Sequence, residues 1–167
     1  MIEINGVTIL TTVKELVDPR YTAVLVIDMQ NGIGRRNGAY EPDSLLNKSL
    51  PRIQRLLAVA RSRGVLITYA EIIHTDARGA SLWDGPNMFC HRNKASVSQL
   101  QEGSWDAQTI DELAPQPGDL VITKNRASAF SYTVLDAHLK ARGIRSLILT
   151  GTSTRGCVLM TAVDTQM

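Results

Sequence analysis

Four short runs rich in aliphatic and β-branched residues, 22–27, 65–69, 119–123 and 146–150, constrain this chain most. In the first two the apolar residues are consecutive rather than alternating. A strand apolar on both sides is buried on both faces, as in a parallel sheet covered by helices, whereas a half-solvated antiparallel strand alternates. The segments between the runs supply the helices. Residues 44–63 set Leu45, Leu46, Leu50, Ile53, Leu56, Leu57 and Ala60 at helical spacing, and Gly64 stops the pattern. A second helix spans 132–142 and closes at Gly143, and a third opens near Cys157. Strand, helix and strand in succession build right-handed crossover units. The expected fold is therefore α/β, an open, mostly parallel sheet with helices on both faces in three layers. Ahead of it, residues 2–11 with Asn5-Gly6 inside them read as a peripheral hairpin.

Composition narrows what such a domain does. The chain has 167 residues, 44% of them hydrophobic, which is enough for one core, so 1–167 reads as a single domain. Eighteen basic and sixteen acidic residues are interspersed, which disfavours a nucleic-acid or polybasic membrane partner. Two distant cysteines, Cys90 and Cys157, make neither a disulfide framework nor a four-cysteine zinc site. No secretory start and no run of about twenty apolar residues is present, so a soluble cytoplasmic protein is expected.

In open parallel sheets ligands bind beyond the carboxyl ends of the strands. Asp28 follows the first long strand, Lys124 follows the third, and Cys157 comes a short loop after the fourth. A carboxylate, an ammonium and a thiol at one end of a sheet can perform nucleophilic catalysis. The attacking species is the thiolate, and a helix N-terminus and a nearby lysine both favour it, so a depressed Cys157 pKa is expected. Backbone N–H groups between Gly151 and Cys157 are candidates for an oxyanion hole. Each residue also has a plain reading, the aspartate as a turn or cap, the lysine as solvated, the cysteine as a small hydrophobe. The long, loose stretch 74–118 is expected to shape the substrate pocket. Within it Trp83, Phe89 and Trp105 are candidate pocket walls or, equally, core or subunit contacts.

Three ordered blocks carry a family likeness. They are Leu25-Val26-Ile27-Asp28-Met29-Gln30-Asn31; Lys124 with Ser128-Ala129-Phe130 and Thr133; and Gly151-Thr152-Ser153-Thr154-Arg155-Gly156-Cys157-Val158 followed by Thr161-Ala162 and Asp164. With them the chain resembles the isochorismatase-like cysteine hydrolases, in particular the branch of N-carbamoylsarcosine amidases, ureidoacrylate amidohydrolases and biuret hydrolases. The resemblance implies a catalytic triad of Asp28, Lys124 and Cys157 and a cis peptide at Thr152-Ser153 beside the oxyanion site; Gln30 is a further candidate substrate contact. The resemblance also implies a homo-oligomer acting on a small molecule. The metal-binding nicotinamidases carry an Asp-x-His-Pro-like element after the second strand, where this chain reads Thr68-Tyr69-Ala70-Glu71-Ile72-Ile73-His74, so neither a metal nor another cofactor is expected. Such relatives continue for a further strand and helix, and the helical end 158–167 has no terminator, so a C-terminally incomplete domain is expected.

Rival motifs are weaker. Gly151-Thr152-Ser153-Thr154-Arg155-Gly156 spaces its second glycine one residue late for a serine elbow, and no histidine follows. Cys90 and His91 are adjacent, and neighbours on an extended loop generally point apart, so a thiol–imidazole pair is not expected there. Gly32-Ile33-Gly34 is too short for a dinucleotide loop. The reading is a cysteine amidohydrolase that cleaves a small amide, carbamoyl or ureido C–N bond through a thioester. The alternative is a catalytically silent member of the fold that binds a small ligand or a partner.

Overall fold

The computed structural model describes residues 1–34, 45–73 and 100–165. The chain begins with an antiparallel hairpin, β1 (Ile2–Ile4) and β2 (Val7–Ile9), and a single-turn helix α1 (Val13–Leu16). Asn5 and Gly6 both take positive φ, 51° and 76°, which is the paired left-handed turn that Asn-Gly favours. There follow β3 (Thr22–Ile27), α2 (Asn31–Gly34), α3 (Leu45–Ser62), β4 (Leu66–Ile72), 3-10 turns at Trp105–Ala107 and Asp111–Leu113, β5 (Leu120–Lys124), α4 (Leu135–Ala141), β6 (Ser146–Gly151) and α5 (Leu159–Asp164). Strands β3 to β6 form a parallel sheet in the order β5-β4-β3-β6.

Alternation along β3 sends Val24 and Val26 to one face and Ala23, Leu25 and Ile27 to the other. The first face packs on Ile53, Leu57 and Ala60 of α3, which recur at helical spacing, and on Ile110 and Leu113. The second packs on Leu135 and Leu139 of α4 and on Cys157. The sheet therefore lies between helices, and β3 is buried throughout because it has a strand on each side and a helical layer on each face.

Three details differ from the sequence reading. The second strand runs on to Ile72. Residues expected to begin the helix at Tyr132 instead form a turn, with Tyr132 at φ 59°, and α4 starts at Leu135. Within the loose stretch, residues 100–113 are largely packed in, with Leu100, Ile110 and Leu113 buried. Among the described residues, no helix is long and apolar enough to cross a membrane.

Candidate active site

Register sets the geometry. Ile27 pairs with Ala70, Glu71 with Thr123 and Ile72 with Lys124, so Lys124 sits one residue beyond the level of Asp28 and two strands away. Two strand spacings are about 10 Å. A lysine stem is long enough to cross the end of β4, and its ammonium lies 3.1 Å from both oxygens of Asp28, hydrogen-bonding to Oδ2. Alternation would send the Asp28 side chain toward α3, but Asp28 adopts φ 53°, and this left-handed turn brings the carboxylate to the face that holds Lys124 and Cys157. Aspartate tolerates that conformation better than most residues.

The turn after β6 is built by close approach. Gly151 has φ 134°, and a Cβ there would stand 2.0 Å from the Ile27 carbonyl oxygen, so no side chain fits. Beyond it the Thr152 N–H donates to Ile27 O at 3.0 Å, and the Thr152 hydroxyl donates to Asp28 O at 3.2 Å. The described peptide bonds are all trans. The reversal expected from a cis bond at Thr152-Ser153 is made instead by Ser153 in the left-handed region, φ 62° and ψ 56°. The N–H groups of Gly156 and Val158 both donate to Ser153 O, so these two and Thr152 are already engaged.

Cys157 lies in the wide turn Thr154–Val158 ahead of the short α5, buried among apolar neighbours. Burial pushes its thiol up to about 12, and the Asp28 charge adds to the effect, while Lys124 opposes it. This reverses the expectation of a depressed value, because desolvation of a thiolate in this pocket outweighs the attraction of one lysine already paired with Asp28. Asp28 is likewise held above the usual carboxylate range, by burial first, with Lys124 and Cys157 acting against it. The Lys124 ammonium also donates to Arg126 O at 3.1 Å. Asp28 Oδ1 is buried and accepts no hydrogen bond among the described residues.

The expected substrate contacts fare differently. Gln30 is 0% exposed and cannot touch a ligand as it stands. Its Nε2 donates to Ile72 O at 3.0 Å and to Ala107 O at 2.7 Å, and its Oε1 accepts the Ile72 N–H at 2.9 Å. Trp105 is 49% exposed at the start of a 3-10 turn. Trp83, Phe89, Cys90, His74 and His91 lie outside the described residues. Beside Lys124 opens a cavity of about 180 Å³, walled also by Ile73, Glu102, Thr123, Asn125 and Tyr132. The sequence offered no signal for Tyr132, a bulky residue in a left-handed turn where glycine or asparagine would be looked for. Thr161, singled out in the sequence only as part of the third block, has a buried Oγ1 that accepts the Ala129 N–H at 3.0 Å and pins the loop after β5 to α5. Among the described residues, no three of His, Cys, Asp and Glu are grouped to hold a metal ion.

The parallel sheet thus gathers a carboxylate, a lysine and a thiol at its carboxyl end, where open α/β sheets bind their ligands. The isochorismatase domain matches residues 22–166, and the chain belongs to the isochorismatase family of hydrolases. A cysteine hydrolase from Pseudomonas syringae pv. phaseolicola is similar at 31% identity, over 90% of this chain and 68% of that one, with a TM-score of 0.76. A nicotinamidase from Bacillus subtilis is similar at 25% identity, over 86% of this chain and 78% of that one, with a TM-score of 0.65. The N-carbamoylsarcosine amidase from Thermoplasma acidophilum, 24% identical over 86% of this chain and 75% of its own, shares the fold with a TM-score of 0.68.

Proposed function

We propose that this hydrolase is an amidohydrolase in which Cys157 is the nucleophile, Asp28 the proton carrier and Lys124 the cation that keeps the carboxylate ionised. The observation that carries the reading is a buried, lysine-paired Asp28 carboxylate that interacts directly with a thiol that keeps its proton. As Sγ attacks the carbonyl carbon of a small amide, carbamoyl or ureido compound, the thiol proton passes to Oδ1. The oxyanion collapses, the C–N bond breaks, and the proton leaves on the departing ammonia or amine. Water then adds to the thioester with Asp28 taking its proton, the C–S bond breaks, and the proton returns to sulfur. The high resting pKa suits this order, because proton transfer accompanies attack and no free thiolate waits in the pocket. The Thr152 N–H is already given to Ile27 O, so within the turn at Thr152, Ser153 and Cys157 the oxyanion falls to the later residues, with the Cys157 N–H nearest the sulfur by covalent connection. Neither a metal nor another cofactor takes part in these steps.

Ammonia release from a panel of small amides and ureas tests the reading. We expect turnover by the parent, none by Cys157→Ser, and a mass increase on Cys157 when the thioester is trapped by acid quench. A thiol held near 12 is also what a silent, ligand-binding member of the fold would show. A parent protein that turns over no member of the panel while still binding one would establish that alternative.

The protein is also proposed to act as a homo-oligomer. Register puts Ile2, Ile4, Val7 and Ile9 on one face of the hairpin, and each is 39–62% exposed. An isolated two-stranded hairpin is marginal in water, and a second copy packed on this face would cover it.

A further inference from the structure

We propose that Gln30 is a positioning residue for the Asp28, Lys124 and Cys157 cluster: its carboxamide fixes the end of β4, and the end of β4 sets the span across which Lys124 meets Asp28. The inference rests on the proposed reading of Cys157 as nucleophile. Asp28 and Lys124 are not on neighbouring strands, so their 3.1 Å contact depends on where β4 ends between them. That end is bonded from both sides. Ala70 O accepts the Asp28 N–H at 3.0 Å, and the Ile73 N–H donates to Lys124 O at 3.0 Å. Between these two bonds Ile72 spends both its N–H and its carbonyl on Gln30, which also carries the Ala107 carbonyl on its second N–H.

Chemistry explains why the residue is glutamine. Two donors and one acceptor are needed on one planar group, in a site closed to water, and a carboxamide supplies that set. A carboxylate offers no donor, a carboxylic acid offers one, and a thioether of similar volume offers none. Loss of the set would leave the Ile72 N–H and two carbonyls to find water, which means opening the end of β4 beside the ion pair. The charged and titratable groups gathered there come from every strand: Asp28 after β3, Glu71 on β4, Lys124 on β5 and Cys157 after β6. Admitting water among them relieves the desolvation that holds the Cys157 proton, so the thiol should become easier to ionise while the Asp28 and Lys124 geometry worsens.

The test uses Gln30→Met, which keeps volume and removes the hydrogen bonds, and Gln30→Glu. Iodoacetamide labelling of Cys157, resolved from Cys90 by peptide mass spectrometry, is followed from pH 6 to 11 alongside ammonia release. The control is Ile53→Ala, a core substitution on the opposite face of the sheet that lowers the melting temperature without touching the site. We expect Gln30→Met to label Cys157 at least tenfold faster than the parent at pH 9, with turnover down at least tenfold, and Ile53→Ala to label at the parent rate. Gln30→Glu should gain a titration limb absent from the parent, labelling nearest the parent rate at low pH, where the carboxylic acid keeps one of the two donors, and departing further from it as the new carboxyl ionises and loses that donor. A parent-like labelling profile in Gln30→Met would overturn the proposal, as would an equal acceleration in Ile53→Ala. If Gln30→Met does not fold, a Gln30→Glu profile that follows the parent's at every pH overturns it. Labelling reads Gln30 even if the parent hydrolyses no amide, an outcome that would remove the proposed function and leave the positioning result standing.

Discussion

The proton on Cys157 governs behaviour at the scale of single residues. With the thiol held near 12 against an ordinary 9, the folded chain keeps a proton that the unfolded chain releases once the pH passes 9. Stability from this group is therefore complete below about pH 9 and declines as pH rises toward 12, with a slope approaching about 1.4 kcal/mol per pH unit. Urea unfolding between pH 8 and 11 should show that decline in the parent and a flatter profile in Cys157→Ala. Activity has the opposite limb. Attack requires ionised Asp28, whose pKa burial has raised, so kcat/KM should fall with falling pH at a higher pH than an exposed carboxylate would set. Cys157→Ser should lose at least about a thousandfold in kcat with little change in melting temperature. Asp28→Asn should be as inactive and also less stable, by about 3 kcal/mol or more, because it strands the buried Lys124 ammonium.

Elements matter through how closely they meet. β6 reaches β3 with no room at Gly151, and the Thr152 bonds that follow align the Cys157 turn with Asp28. Gly151→Ala should push β6 from β3 and cost about 4 kcal/mol or more, at the upper end of single-residue effects. Chemical denaturation reads the loss. A variant as stable as the parent would mean that the contact relaxes cheaply. The left-handed φ of 134° makes that relaxation harder, since a side chain is strained there whatever the space.

Two outcomes belong to the whole molecule. Light scattering on the purified protein should report an oligomer, and Ile4→Lys with Val7→Lys on the hairpin face should shift it toward monomer. Treatment with a strong chelator should leave ammonia release unchanged, because the sequence after the second strand lacks the aspartate and histidine pattern of the metal-dependent relatives. A dimer that survives the lysine pair would move the interface elsewhere, and activity lost to the chelator and restored by one metal would refute the second expectation.

Much of this was legible in the chain itself. The continuous apolar runs at Thr22–Ile27 and Leu66–Ile72 are the two inner strands of the sheet and the most buried, whereas β5 and β6 form its edges and stay partly exposed, Val121 at 43%. Counting from the strand ends also locates Asp28, Lys124 and Cys157 together, since the carboxyl ends of parallel strands all point one way. Other features depend on partners distant in sequence. Strand order made Lys124 reach across β4, a fact that no local pattern contains. Gln30 lies two residues from Asp28 and looks like a ligand contact until Ile72 and Ala107, 42 and 77 residues away, close around its amide. The thiol of Cys157 shows the same division. Its position follows from the sequence, but whether it holds or yields its proton depends on how much water the assembled layers exclude, and desolvation is a property of the packed molecule rather than of any stretch of chain.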